Sequence, residues 1–193
     1  MTEFYLPSWE EIHQDLIKLS ENIISSGIRY ELIVAIARGG WVVGRMLSDL
    51  LGNRNVANLR IEFYTDIGKT MEKPIITQPI SVEPIGKNIL LCDDVADTGK
   101  SLKAACDYIR DKKADKITVV CLHKKPWSIY TPDYYMRETE KWIIYPWEYR
   151  ETLNKIYENF RNEGLSRSEI SKKIKKIAGG NKLFSKMFSL ITE

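Results

Sequence analysis

The stretch NILLCDDVADTGKSL, residues 88–102, decides how this chain is read. A short apolar run, Ile89 to Cys92, ends in two adjacent carboxylates, Asp93 and Asp94. Asp97 follows three residues later, and then Thr98, Gly99, Lys100 and Ser101. An apolar run of this length bounded by turn residues predicts a buried strand, and KSLKAACDYIRDKK after it predicts a helix. The Gly-Lys-Ser triplet invites comparison with the nucleotide-binding loop G-x-x-x-x-G-K-[ST]. The place five residues before Gly99, where that loop needs its first glycine, is Asp94, and a carboxylate there would repel the phosphates. That reading fails. Free N–H groups at a helix start, together with nearby hydroxyls, still make a site for one phosphate. Asp93 and Asp94 suit a vicinal diol as hydrogen-bond acceptors, and they can also hold Mg²⁺. One phosphate with a diol a few ångströms away describes a ribose 5-phosphate. Two carboxylates side by side at a buried edge are costly without such a partner.

Outward from this stretch the chain alternates strand and helix. YELIVAIA (30–37) predicts a strand that RGG interrupts, and WVVGRMLSDLLG (41–52) a helix stopped by Gly52. NVANLRIEFYTD (55–66) predicts a second strand, and residues 67–87, with three Pro and two Gly, a long loop with at most a short strand. DKITVVCLHKK predicts another strand, and YYMRETEKWIIYPWE a smaller strand pair. At the amino end, Ser8 and Glu11 form a capping box for a helix that stops near Gly27. The fold class is therefore α/β, a parallel sheet flanked by helices, with ARGG and DDVADTGKS at the carboxyl ends of strands and facing one cleft.

The apolar strand, Asp93-Asp94, two small or apolar residues and Asp97-Thr98-Gly99-Lys100-Ser101 resemble the motif with which type I phosphoribosyltransferases bind 5-phosphoribosyl 1-diphosphate (PRPP). AIARGGWVVGRML resembles their pyrophosphate loop. EKWIIYPWE and the Lys125-Pro126 pair resemble the purine-contacting segments of bacterial xanthine–guanine phosphoribosyltransferases. The resemblance covers roughly residues 30–148. It implies a small hood on the parallel sheet and transfer of the 5-phosphoribosyl group from PRPP to N9 of a 6-oxopurine (hypoxanthine, guanine or xanthine), with pyrophosphate and the nucleotide as products.

The resemblance also implies roles. Asp93 and Asp94 bind the ribose hydroxyls, with Asp94, and Asp93 beside it, near Mg²⁺. Asp97 is the general base near N7 of the purine, and Ala96, Asp97, Thr98, Gly99, Lys100 and Ser101 cradle the 5′-phosphate. Arg38 and Gly39 bind pyrophosphate, and in the family the peptide before this position is often cis. Lys125 reaches the purine O6, a role that a one-residue slip would pass to Lys124. Trp142 stacks on the base and Ile143 offers backbone groups to its edge, while Pro146 and Trp147 are scaffold. Residues 65–85 are the candidate lid, with Tyr64, Lys69 and Lys73 able to approach pyrophosphate. Relatives commonly carry Ser-Tyr at the start of this loop, where this chain has Phe63-Tyr64. A lysine at O6 favours 6-oxopurines, because adenine would set an amino donor against an ammonium donor.

Composition sets the frame. With 193 residues, 44% hydrophobic and 28% charged, the chain suits one compact domain with a small appendage. There is no long apolar run and no secretory pattern at the start, so neither membrane nor export is expected. Three scattered cysteines point to the reducing cytoplasm and away from a structural metal. The net charge of +3 is uneven: residues 154–193 hold nine Lys/Arg against four Asp/Glu. We divide the chain into residues 1–148, the phosphoribosyltransferase domain with its hood, and 149–193, a basic helical extension. Ser166 and Glu169 cap an amphipathic helix there, with Ile170, Ile174 and Ile177 on one face and Lys172, Lys173, Lys175 and Lys176 on the other. Such an extension serves packing on the body or a subunit contact, in a homodimer or homotetramer, rather than nucleic acid. The rival reading is a ligand-sensing regulator of the same fold that grips nucleic acid through this tail. Intact Asp97, Arg38, Lys125 and Trp142 speak against it, since a pure sensor needs no general base.

Overall fold

The computed structural model describes residues 3–64 and 73–189, and these form two compact units, 12–140 and a second made of the chain start to residue 11 with the segment from residue 141 onward. The larger unit is built on a six-stranded sheet. Its strands are β2 (Leu32–Ala37), β3 (Val56–Tyr64), β4 (Lys73–Gln78), β5 (Asn88–Ala96), β6 (Lys116–Lys124) and β7 (Tyr134–Glu138), in the order β4-β3-β2-β5-β6-β7. All pairs are parallel except β3 with β4. The alternation of strand and helix legible in the sequence is thus the architecture of the molecule, and the α/β class holds.

The central strands, all of β2 and the middle of β5 and β6, are apolar because both faces are covered. Leu32, Val34 and Ile36 of β2 join Leu102, Ala105, Cys106 and Ile109 of α3 (Lys100–Asp111) in one buried cluster. On the opposite face of β2, the Cβ of Ala35 lies so close to Gly44 of α2 (Gly39–Leu50) that a Cβ on Gly44 would come within 2.7 Å of it. Successive strand side chains point to opposite faces, so α2 and α3 cover the two sides of the same strands. After β2 the chain goes outward to β3, and after β5 it goes outward the other way to β6. The adjacent carboxyl ends of β2 and β5 are therefore the switch point of the sheet, where α/β proteins bind ligands.

Two elements differ from their expected form. Strand β5 runs on past the apolar run through Ala96, while α3 starts at Lys100, where KSLKAACDYIRDKK places it. YYMRE and WI are not a strand pair. Tyr134–Glu138 is a parallel edge of the main sheet beside β6, whereas β8 (Trp142–Ile143) pairs with β1 (Phe4–Tyr5). Such short segments carry too little periodicity to announce a partner, and tertiary contacts choose it.

In the smaller unit a 3₁₀ turn (Pro146–Glu148) leads into α4 (Tyr149–Asn162), α5 (Arg167–Ala178) and α6 (Lys182–Phe188). Helix α1 (Trp9–Ser25) begins with the Ser8–Glu11 capping box, in which the Glu11 N–H donates to Ser8 Oγ at 3.1 Å and the Ser8 N–H to Glu11 Oε2 at 2.8 Å. The second capping box, Ser166 with Glu169, is also formed. The three C-terminal helices share a core with the chain around β8 and β1: Ile144 is buried with Leu153, Ile170, Ile174 and Phe184, and Phe4 and Leu6 pack against them. Tyr145 and Trp147 stack with their ring centres 4.6 Å apart, the scaffold role expected of Trp147. Among the described residues no helix is long and apolar enough to cross a membrane.

Candidate active site

The site grows from three chain segments at the sheet's switch point. The first is the end of β5. Asp93 is buried and Asp94 half-buried, and the Asp94 N–H donates to Asp93 Oδ1 at 3.0 Å. Burial, together with the charge of Asp94, holds the Asp93 carboxyl well above the ordinary aspartate range. Its neighbours Cys92 and Cys121 are fully buried, and desolvation raises both thiols far above their usual range, so neither is a nucleophile.

The second segment is the loop from Asp97 to Ser101. Gly99 takes φ +78° and precedes the first turn of α3, a left-handed conformation that favours glycine. A Cβ there would also lie 2.6 Å from the Tyr130 backbone N. The loop and the end of β5 enclose a cavity of about 370 Å³ that Phe63 also lines, with Asp93, Asp94 and Asp97 on its wall and the N-terminal residues of α3 at one side. The first turn of α3 brings its N–H groups and the positive end of the helix dipole to this side, where an anion is favoured, with the Lys100 N–H also donating to Thr98 Oγ1 at 3.4 Å.

The third segment follows β2. Arg38 is exposed, the Ala37–Arg38 peptide is cis, as the resemblance implied, and α2 starts at Gly39. The two glycines let this helix press against the acidic strand end. A Cβ on Gly39 would run into the Asp94 carboxylate, and one on Gly40 would lie 2.5 Å from the Cys92 carbonyl oxygen and 2.8 Å from Asp93 Cα. The expected pyrophosphate loop and the expected ribose carboxylates are therefore in contact. Nothing local in the sequence marks Gly40, because its need is set by β5, some fifty residues away.

The two lysines at the end of β6 separate. Lys124 donates to Glu138 Oε2 at 2.6 Å and lies over the Tyr135 ring, which engages it on the β7 side. Lys125 is buried to 6% exposure and interacts electrostatically with Asp97. Burial pulls its ammonium below the ordinary lysine range, and the Asp97 charge pushes it back up. Trp127, which the sequence did not mark, donates its indole N–H to Asp97 Oδ1 at 3.1 Å. Its signal lay in the adjacent Lys125-Pro126 pair, but the contact spans thirty positions of the chain and no local pattern encodes it.

Trp142 is 53% exposed on β8 of the smaller unit, with Ile143 buried beside it. Exposure excludes plain core packing for Trp142. Of the residues expected to approach pyrophosphate, Lys69 lies outside the described residues, as do the side chains of Tyr64 and Lys73.

The sequence model of the phosphoribosyl transferase domain matches residues 8–153, about three quarters of the chain. The chain belongs to the phosphoribosyl transferase domain family. Among solved structures it is similar to a purine phosphoribosyltransferase from Pyrococcus horikoshii, at 34% identity and a TM-score of 0.69, over 75% of this chain and 93% of that one. Xanthine-guanine phosphoribosyltransferases are more distant relatives. The one from Nitratidesulfovibrio vulgaris is 29% identical and that from Gluconobacter oxydans 24%, each over 73% of this chain and 82% of its own. The family resemblance is borne out over residues 8–153.

Proposed function

We propose that this protein transfers the 5-phosphoribosyl group of PRPP to N9 of a 6-oxopurine, releasing pyrophosphate, as a purine-salvage enzyme. The observation that carries the reading is the meeting of Asp93, Asp94, Asp97 and the first turn of α3 around one cavity, with the Arg38–Gly39 start of α2 against its acidic edge. The relatives named as purine and xanthine-guanine phosphoribosyltransferases supply the base class.

In this reading the N-terminal N–H groups of α3, with Thr98 and Ser101, hold the 5′-phosphate, and the Asp93 and Asp94 carboxylates accept from the ribose hydroxyls. Among the described residues no three His, Cys, Asp or Glu side chains gather as a metal cage. The adjacent pair Asp93 and Asp94, with Asp93 held above its usual range by burial and by the Asp94 charge, fits a Mg²⁺ bound by one or two carboxylates and substrate oxygens. Bound there, the ion would supply positive charge beside the pyrophosphate. Arg38 stabilises the charge that grows on the leaving group as the C1′–O bond breaks and pyrophosphate departs with the electron pair. The purine nitrogen closes the C1′–N9 bond, and Asp97 accepts the proton that the base gives up. Lys125 donates to O6, which selects oxopurines over adenine. Trp142 stacks on the base and Ile143 meets its edge, completing a catalytic part of residues 1–148. Residues 149–193 support the hood through their shared core. The three buried, unpaired cysteines suit a cytoplasmic enzyme, and a homodimer or homotetramer remains our expectation for assembly.

Turnover with PRPP and Mg²⁺ against hypoxanthine, guanine, xanthine, adenine and orotate tests this. Nucleotide from the 6-oxopurines alone is the expected result. PRPP binding without turnover on any base would put the ligand-sensing regulator in its place.

A further inference from the structure

The loop after β6 contains a residue with no assigned role and a specific place. Lys125 donates its backbone N–H to the Ala96 carbonyl at 3.0 Å, and Ile129 donates to the Thr98 carbonyl at 3.1 Å. Ser128 and Tyr130 lie so close to Gly99 that no side chain fits between them. Residues 125–130 are thus clasped along the phosphate loop. Between the two backbone ties stands Trp127, its indole N–H on Asp97 Oδ1 at 3.1 Å and the Lys125 ammonium 5.5 Å from its ring centre.

Burial does not explain this tryptophan, because it is 53% exposed. Its position is specified at its polar edge by a carboxylate and at its face by a cation, two contacts that apolar packing would not select. Asp97 is itself exposed, and its side chain can swing through several rotamers in water. Among the described residues no hydrogen-bond donor holds its second oxygen. One oxygen tied and one open is how a carboxylate is aimed.

We propose that Trp127 is a positioning residue for the reaction, anchoring one oxygen of Asp97 so that the other faces the purine proton. This rests on the proposed role of Asp97 and extends it to a residue that never needs to touch the substrate. Holding a base within hydrogen-bond reach in one orientation is worth a sizeable part of its effect on rate.

The test compares Trp127→Phe and Trp127→His at pH 8, where the added imidazole is neutral. Phenylalanine keeps an aromatic face for Lys125 and loses the donor, whereas histidine keeps an N–H at similar reach. We expect Trp127→Phe to lower kcat about tenfold, the low end for a hydrogen bond to an exposed charge, with the KM for PRPP within about twofold of wild type. Trp127→His should regain most of that loss although it is the poorer steric match. A purely structural role would give the reverse order, and an unchanged or raised kcat in Trp127→Phe would overturn the proposal outright. A second readout does not depend on turnover. The ¹⁵N–¹H signal of the Trp127 indole, identified by its disappearance in Trp127→Phe, should move in Asp97→Asn, and an unmoved signal would overturn the contact. Wild type that makes no nucleotide with any base, while the indole signal does respond to Asp97→Asn, would instead strike the proposed function and leave the contact standing.

Discussion

The two ends of the central sheet carry cavities of opposite character. At the amino ends of β2 and β3 lies the larger one, about 650 Å³, lined by Ile23, Ile28, Leu51 and the turn residues Asn53 to Asn55. At the carboxyl ends lies the smaller, about 370 Å³, with three aspartates and a helix start. Size points to the first and chemistry to the second. At the amino end, Asn53 is committed to the fold: its Nδ2 donates to the Tyr30 carbonyl at 2.9 Å, and its own carbonyl accepts from Ser48 Oγ at 2.6 Å. At the carboxyl end, burial and the Asp94 charge hold the Asp93 carboxyl above its usual range, and Asp97 has one oxygen tied to Trp127 and, among the described residues, one open. A site is recognised by polar groups that the fold leaves unanswered, more than by the volume of its cavity.

The sharpest break of this comparison is Asp97→Asn. If Asp97 is the base, kcat should fall by about 10² to 10⁴ while PRPP affinity changes little, as steady-state kinetics and calorimetry would show. A variant that keeps wild-type kcat would remove the general base from this end of the sheet.

Next in size is Gly40→Ala. The new methyl would meet the Cys92 carbonyl oxygen and Asp93 Cα, both backbone, so the start of α2 must move away from β5. About 2–3 kcal/mol of stability should be lost, read from the urea midpoint, together with PRPP affinity. Lost stability with full affinity would mean that the two loops need not touch.

The amino end gives the matched control. Asn53→Ala deletes the side-chain bond to Tyr30 and the acceptor of the Asn55 N–H at 2.9 Å, which should cost about 1–2 kcal/mol of stability and leave kcat and both KM values as they were. A change in kinetics would make the larger cavity part of the function.

The same contrast explains what could be read without a structure. The carboxyl-end loops were legible because their chemistry is local: the spacing of Asp93, Asp94, Asp97 and Gly99 is set within seven residues by one strand end and one helix start. So were both capping boxes, which are four-residue devices. Gly40 and Trp127 were not, because each answers a group far away in the chain, Asp93 in one case and Asp97 in the other. The partners of Tyr134–Glu138 and Trp142–Ile143 were hidden for a related reason. Strands of five and two residues gain their stability from the sheet they join, and β7 lies beside β6 while β8 lies beside β1. The slip between Lys124 and Lys125 stays open in the sequence because adjacent lysines look alike, and Glu138, which accepts from Lys124, comes fourteen residues later.

The smallest effect we predict is a gain. Asp93 is 8% exposed, and burial with the neighbouring Asp94 raises its carboxyl above the ordinary range, so the ligand-free fold favours the protonated form. A carboxyl raised on folding contributes stability that is present below its unfolded value and is lost as pH climbs through the folded one. Once pH has climbed through that folded value, the ligand-free wild type carries an ionised carboxylate that its surroundings disfavour. Asp93→Asn removes that charge in nearly the same shape and should stabilise the ligand-free protein by about 1 kcal/mol, or about 2–4 °C in thermal midpoint for a chain of this size. The gain should shrink as pH is lowered towards the acid range, where the wild-type carboxyl is protonated as well. PRPP affinity in the presence of Mg²⁺ should fall in the same variant, because the charge that burdens the empty site is the one that holds the ligand. A variant that is both more stable and still tight for PRPP would separate the two, and would return the acidic end of β5 to the status of the amino end, a part of the fold and nothing more.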